Sequence, residues 1–92
     1  MDKEYSVEDI KAPLRNYLDE EFMFRHPDVT LHEQLDLIRE GIIDSLGIVR
    51  LTHFLEERFD LVLDPSEIVA ANFQTLSAIH HLVATKLRAR SV

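Results

Sequence analysis

The stretch "GIIDSLGIVRLTHFLEERF", residues 41–59, decides how the rest of the chain is read. From Ser45 onward its apolar residues recur at helical spacing: Ile48, Leu51, Leu55 and Phe59 form one stripe. Leu46, Val49 and His53 form a second face, broader than a four-helix core should need. A helix is therefore expected to begin at or just before Ser45 and to run to about Phe59. Asp and Ser are both preferred capping residues, so either Asp44 or Ser45 can serve as the N-cap. Ser45 thus has three readings: a helix cap, a catalytic nucleophile, or a point of attachment.

The neighbours of Ser45 speak against the nucleophile. A strand-to-helix elbow of the G-x-S-x-G kind needs glycine at position 43, where this chain has the β-branched Ile43. The histidines, His26, His32, His53, His80 and His81, contain no pair at the i, i+4 spacing of a helical two-histidine metal site. No metal site and no catalytic residue are expected. His80 lies beside an apolar stripe and should be half-buried, whereas His81 should be solvated.

Towards the N-terminus, Ser6 and Asp9 form a capping-box pattern, and Val7, Ile10, Leu14, Leu18 and Phe22 follow at spacings of three and four. Pro13 interrupts that pattern at a cost of about 3 kcal/mol in a helix interior. The regular part of the first helix is therefore expected from about Pro13 to Phe22, after a looser first turn. Residues 25–44 form a long connection with breakers at Pro27 and Gly41 and apolar anchors at Val29, Leu31, Leu35, Leu37 and Ile38. So long a loop in a small domain tends to be functional, and a short helical turn is expected at about 31–38.

Beyond the second helix, Asp64 followed by Pro65 starts a short third helix, expected to reach about Ala71. Thr75 then caps a fourth, with Leu76, Ile79, Val83 and Leu87 on one face and Lys86, Arg88 and Arg90 near its C-terminal end, where cations suit the helix dipole. "LVLD" at 61–64 is the one β-like run, and there is no internal repeat. The pattern predicts an all-α antiparallel bundle of three main helices plus the short third. Ile10, Leu14, Leu18, Leu51, Leu55, Phe59, Phe73, Ile79 and Val83 are its expected core.

With 92 residues the chain has room for one domain, 1–92, with mobile tails expected at 1–5 and 89–92. Hydrophobic residues make up 46% and charged residues 29%, enough apolar surface to fold. There is no cysteine, so any thiol chemistry needs an added group. The net charge of −7 is concentrated in one half: residues 1–45 hold 12 acidic and 5 basic residues, residues 46–92 hold 5 of each. That balance speaks against nucleic-acid binding and suits either basic docking partners or a solvated acidic surface. Neither a secretory leader nor a membrane span is expected, and a cytoplasmic monomer is the default.

The segments "IKAPLRNYLDEEF", "IDSLGIVRLTHFLEERFDLVLDPSEI" and "FQTLSAIHHLVATKL" together resemble the acyl carrier and peptidyl carrier protein family. The resemblance covers nearly the whole chain and turns on Asp44, Ser45 and Leu46, a D-S-L motif placed after a long loop and before "LEERFDLVL". It implies an acyl-carrier-protein-like four-helix bundle with a long first loop, and a covalent 4'-phosphopantetheine on Ser45. It also implies a non-catalytic carrier of acyl or aminoacyl groups held as thioesters. The partners it implies are a phosphopantetheinyl transferase, an adenylate-forming ligase and downstream acyl-processing enzymes. Docking is expected on Leu46, Val49, Arg50 and His53. Fatty-acid-type carriers typically have acidic residues after the motif, where this chain has Gly47 and Arg50. The "GIIDSLG" form looks more like stand-alone aminoacyl and D-alanyl carriers, with a fatty-acid or polyketide carrier as the alternative. A reading of another class is an unmodified helical adaptor.

Overall fold

The computed structural model describes residues 5–90, which form four α-helices: α1 (Val7–Glu21), α2 (Ser45–Phe59), α3 (Ala70–Phe73) and α4 (Leu76–Arg90). Short 3-10 turns at Met23–Arg25 and Pro65–Glu67 join them, and there is no strand among the described residues. "LVLD" is extended coil with Leu61 and Leu63 buried and Val62 exposed. Helix α4 packs against α1, α2 and α3. All nine expected core residues are buried, and Phe22, Met23, Leu37, Ile42, Ile43, Leu61, Leu63, Leu76, Leu82 and Leu87 join them. Of the expected mobile tails, residues 1–4 and 91–92 lie outside the described residues. Tyr5 meets Phe59 edge-on, and α4 continues through 89 and 90.

Helix α1 starts earlier than the position of Pro13 suggests. The Ser6 hydroxyl accepts the Asp9 N–H at 3.1 Å, and the Asp9 carboxylate accepts the Ser6 N–H at 2.9 Å, a reciprocal cap that holds the first turn. Ile10 and Leu14, on either side of Pro13, are both buried, each contributing about 1.5–3 kcal/mol. Their burial outweighs the missing hydrogen bond, so the helix runs through the proline. Val7 is exposed, and the apolar stripe effectively begins at Ile10.

The first loop carries no helix at 31–38; its one i→i−4 bond, from the Glu40 N–H to the Asp36 carbonyl at 3.0 Å, makes a single helical-type turn at 36–40, and the rest is bends and tight turns. Its shape comes from partners far along the chain. The Leu37 N–H donates to the Gln74 carbonyl at 2.7 Å, while the Leu37 carbonyl accepts the N–H groups of Ile42 and Ile43 at 2.9 and 3.0 Å. The Asp36 carboxylate accepts from the Gln74 side chain at 2.7 Å and from the Arg39 N–H at 2.9 Å. Lys11 of α1 pairs with Glu33. The Glu33 carbonyl also accepts the Ser77 N–H at 3.1 Å, and the Thr75 hydroxyl accepts the Ala78 N–H at 3.0 Å. Thus the loop and Thr75 together satisfy donors that the start of α4 would otherwise leave open.

The expected third helix from Asp64 to Ala71 is two pieces. The Glu67 carboxylate accepts the Asp64 N–H at 2.8 Å and closes the first turn, but Ile68 leaves the helical region and Val69 is extended. The helix restarts at Ala70 and delivers Phe73 to the core.

Candidate functional site

Asp44 takes the N-cap of α2. Its backbone is extended, its carboxylate accepts the Gly47 N–H at 2.8 Å, and its carbonyl accepts the Ile48 N–H at 2.9 Å. Ser45 is left as the first helical residue, exposed to solvent, and among the described residues no hydrogen bond engages its hydroxyl. The hydroxyl therefore stands at the positive end of a 15-residue helix, beside N–H groups of the first turn that have no intrahelical partner. An anion attached there is stabilised by the same partial charges that bind phosphates at helix starts.

The position of that first turn depends on Gly47, which is buried. A Cβ at this residue would lie 3.1 Å from the Phe22 ring and 3.2 Å from the Ile43 side chain. A methyl there would require the Phe22 ring and the Ile43 side chain to give by a few tenths of an ångström, so α2 begins in close contact with the end of α1 and the end of the loop. In the sequence Gly47 stands out merely as the lack of an acidic residue, and nothing local signals its packing role. Gly41, three residues before the cap, has φ +74° and turns the loop into the motif.

The second face of α2 is open: Leu46 is 67% and Val49 51% exposed, and His53 is exposed as well. Arg50 is held differently from its neighbours. Its guanidinium pairs with Glu21 of α1 and lies 5.1 Å from the centre of the Phe22 ring. It therefore links two helices as well as bordering the exposed face. Beneath Val49 and His53, Tyr17 of α1 stacks on Phe54 of α2 with ring centres 4.0 Å apart. These two aromatic rings floor a shallow groove of about 360 Å³ that also includes Val49, His53 and Glu57. Burial raises the Tyr17 pKa above its ordinary value. Tyr17 and Phe54 were not singled out by the sequence pattern, because they meet across two helices 37 positions apart.

His80 is half-buried and His81 exposed. Burial, and then the nearby Lys11 charge, lowers the His80 pKa. Among the described residues no group of three His, Cys, Asp or Glu side chains is arranged to hold a metal ion. No described helix is long and apolar enough to cross a membrane.

This is a helical bundle presenting an uncommitted serine at the head of its second helix, and comparison with known proteins gives that arrangement a family. No protein-family model matches the chain. The chain is 34% identical to the D-alanyl carrier protein of Streptococcus suis (strain 98HAH33) over 71 residues, 77% of this chain and 86% of that protein. Over the same shares it is 37% identical to the D-alanyl carrier protein of Streptococcus gordonii and 35% identical to that of Streptococcus mutans. The chain belongs to the stand-alone carrier protein family.

Proposed function

We propose that this protein is a phosphopantetheine-dependent carrier whose 4'-phosphopantetheine is attached through a phosphodiester to Ser45. The observation that carries the reading is the separation of roles at the motif: Asp44 caps the helix, leaving the Ser45 hydroxyl exposed and unengaged. No base is hydrogen-bonded to that hydroxyl among the described residues, an arrangement suited to modification by another enzyme rather than to a built-in nucleophile. The residues fit the group: the helix start favours its charge, and the chain itself has no thiol. When bound, the group supplies a terminal thiol on which an acyl or aminoacyl group is held as a thioester. The protein's own residues anchor the arm and present the face of Leu46, Val49, Arg50 and His53 to a phosphopantetheinyl transferase, an adenylate-forming ligase and downstream acyl-processing enzymes. Asp44 and Leu46 frame the attachment point.

An amino acid is the cargo class this reading favours. The relatives are named as carriers of D-alanine, and α2 lacks acid in its first turn. The Arg50 charge is paired with Glu21, so its neighbourhood is not a strongly acidic docking face of the kind fatty-acid enzymes seek. The reading places the protein as a single carrier domain without catalytic residues of its own. The test is intact-mass spectrometry after incubation with coenzyme A and a broad-specificity transferase. Wild type should gain one phosphopantetheinyl group and Ser45→Ala none. An adduct persisting on the alanine variant would overturn the site, and an unmodified wild type would favour the adaptor reading. Loading by fatty-acid enzymes, and by no adenylating ligase, would move the cargo to the alternative class.

A further inference from the structure

Beside the motif, between the end of α1 and the start of α2, lies a hollow of about 270 Å³. Phe22, Ile42 and Leu46 supply its apolar lining, and Arg25, His26 and Arg50 supply its basic groups. Glu21 and Asp44 also border it: Glu21 pairs with Arg50, while Asp44 accepts the neutral Gly47 N–H and keeps its charge at the edge beside Ser45. Arg25 has no ion pair among the described residues; its guanidinium lies 5.3 Å from the Phe24 ring centre. The residues on both sides of Ser45 line this hollow, so the serine stands at its edge.

We propose that this hollow seats the phosphate-bearing half of the arm carried by Ser45, with Arg25 and Arg50 holding the phosphodiester and the adjoining branched hydrocarbon segment lying on Phe22, Ile42 and Leu46. The inference rests on the phosphopantetheine reading above and adds the arm's resting place to it. Charge complementarity rests on Arg25, the guanidinium of this lining without an ion pair among the described residues, which can bind phosphate oxygens through paired N–H donors. Arg50 has five such donors and can keep Glu21 while serving the phosphate. Size selects how much of the arm enters. The hollow is smaller than the roughly 300–1,000 Å³ of sites that enclose a small molecule, so the thiol end and its cargo project outward. Gly47 keeps the floor of the hollow in place, since a side chain there would push Phe22 aside. The seat shortens the arm's free length and aims the cargo away from α1.

The experiment compares isotopically labelled protein before and after transferase treatment, with the mass measured first. Nuclear Overhauser contacts should run from the geminal methyl groups of the arm to the Phe22 ring and to the Ile42 and Leu46 methyls. Amide shifts should extend to Gly41 and Ile42. Arg25→Gln and Arg50→Gln should each weaken those contacts by roughly twofold or more and move the phosphorus resonance towards that of the same phosphodiester in the urea-unfolded modified protein. Spectra of the unmodified variants establish that each is folded. Failure to add the group to wild type overturns the attachment reading and this inference with it. A modified protein whose shifts stop at residues 44–46, or whose arm contacts Val49 and Phe54 instead, overturns the seat alone. Unchanged contacts and phosphorus resonance in both arginine variants overturn the phosphate clamp.

Discussion

Asp44 and Ser45 are adjacent, chemically alike as caps, and entirely different in use. Asp44→Ala removes the acceptor for the Gly47 N–H and should cost about 0.5–2 kcal/mol, while Asp44→Asn should retain most of the cap. Ser45→Ala removes an exposed hydroxyl with no bond to lose and should fall within about 0.5 kcal/mol of wild type. Urea unfolding of the three variants checks this; a large loss at Ser45 would mean that the hydroxyl is structural. Gly47 gives a second contrast. Alanine is favoured over glycine in a helix by about 1 kcal/mol, yet here its methyl would press on Phe22 and Ile43. Overpacking costs about 1–3 kcal/mol. Phe22 is also confined by the Tyr17 edge at 5.9 Å and by Arg50 above it. Gly47→Ala should therefore lower stability by up to about 2 kcal/mol net, and a raised thermal midpoint would show that the two neighbours give way freely.

Among the elements, α1 keeps a helix-breaking residue because its ends and its buried face are well secured. Pro13 supplies no N–H to its own turn and is only half-buried. Pro13→Ala should restore a backbone bond worth much of the roughly 3 kcal/mol proline penalty, less up to about 1 kcal/mol because the unfolded chain regains freedom. A gain near 2 kcal/mol, with increased helical ellipticity, is the expected outcome; a loss would reveal that the proline ring itself packs usefully. The long loop shows the complementary case, in which an element without regular structure is held by its surroundings. Its carbonyl at Glu33 and its N–H at Leu37 bond to the α3–α4 region, and its apolar residues Val29, Leu31 and Leu35 pack against the core. That attachment positions Asp44, and through it Ser45.

For the whole molecule, the ionisable groups set a window of stability. His80 has its pKa lowered by burial, so the folded state favours its neutral form; its stabilising effect is complete above the ordinary value of 6.5 and is lost as pH falls towards the folded pKa. The groups around it are Lys11, Glu33 and His81. Glu33, held low first by its hydrogen bond from Lys11, and Glu67, held low first by the Asp64 N–H, contribute above the ordinary value of 4.5 and lose that contribution as pH falls below it. Asp36, lowered first by the Arg39 N–H, follows at still lower pH. At the alkaline side, Tyr17 is raised by burial and Lys86 by its hydrogen bond to Glu67; both contributions are present below the ordinary values and lost as pH rises through the folded ones. Stability should therefore be greatest between about pH 7 and 9 and should decline in two acid stages. His80→Gln should remove the first of them, which sets in as pH falls below 6.5, leaving the second. Thermal midpoints across pH would test it, and an identical profile in the variant would exclude His80 as the source.

Features that depend on neighbours within one or two helical turns can be read along the chain. The Ser6 and Thr75 caps, the bounds of α2 and the nine core positions were all legible, because capping and apolar periodicity are local properties of the chain. The D-S-L motif was legible for the same reason, and so was the exposure of the Leu46, Val49 and His53 face. Three-dimensional packing makes Asp44, rather than Ser45, the cap, carries α1 through Pro13, and breaks the third helix at Ile68 and Val69. It also sets the path of the first loop, the tie from Arg50 to Glu21, and the close fit around Gly47. Each of these is settled by groups far apart in the chain competing for the same donors, carboxylates or space, and a local pattern does not contain the outcome of that competition.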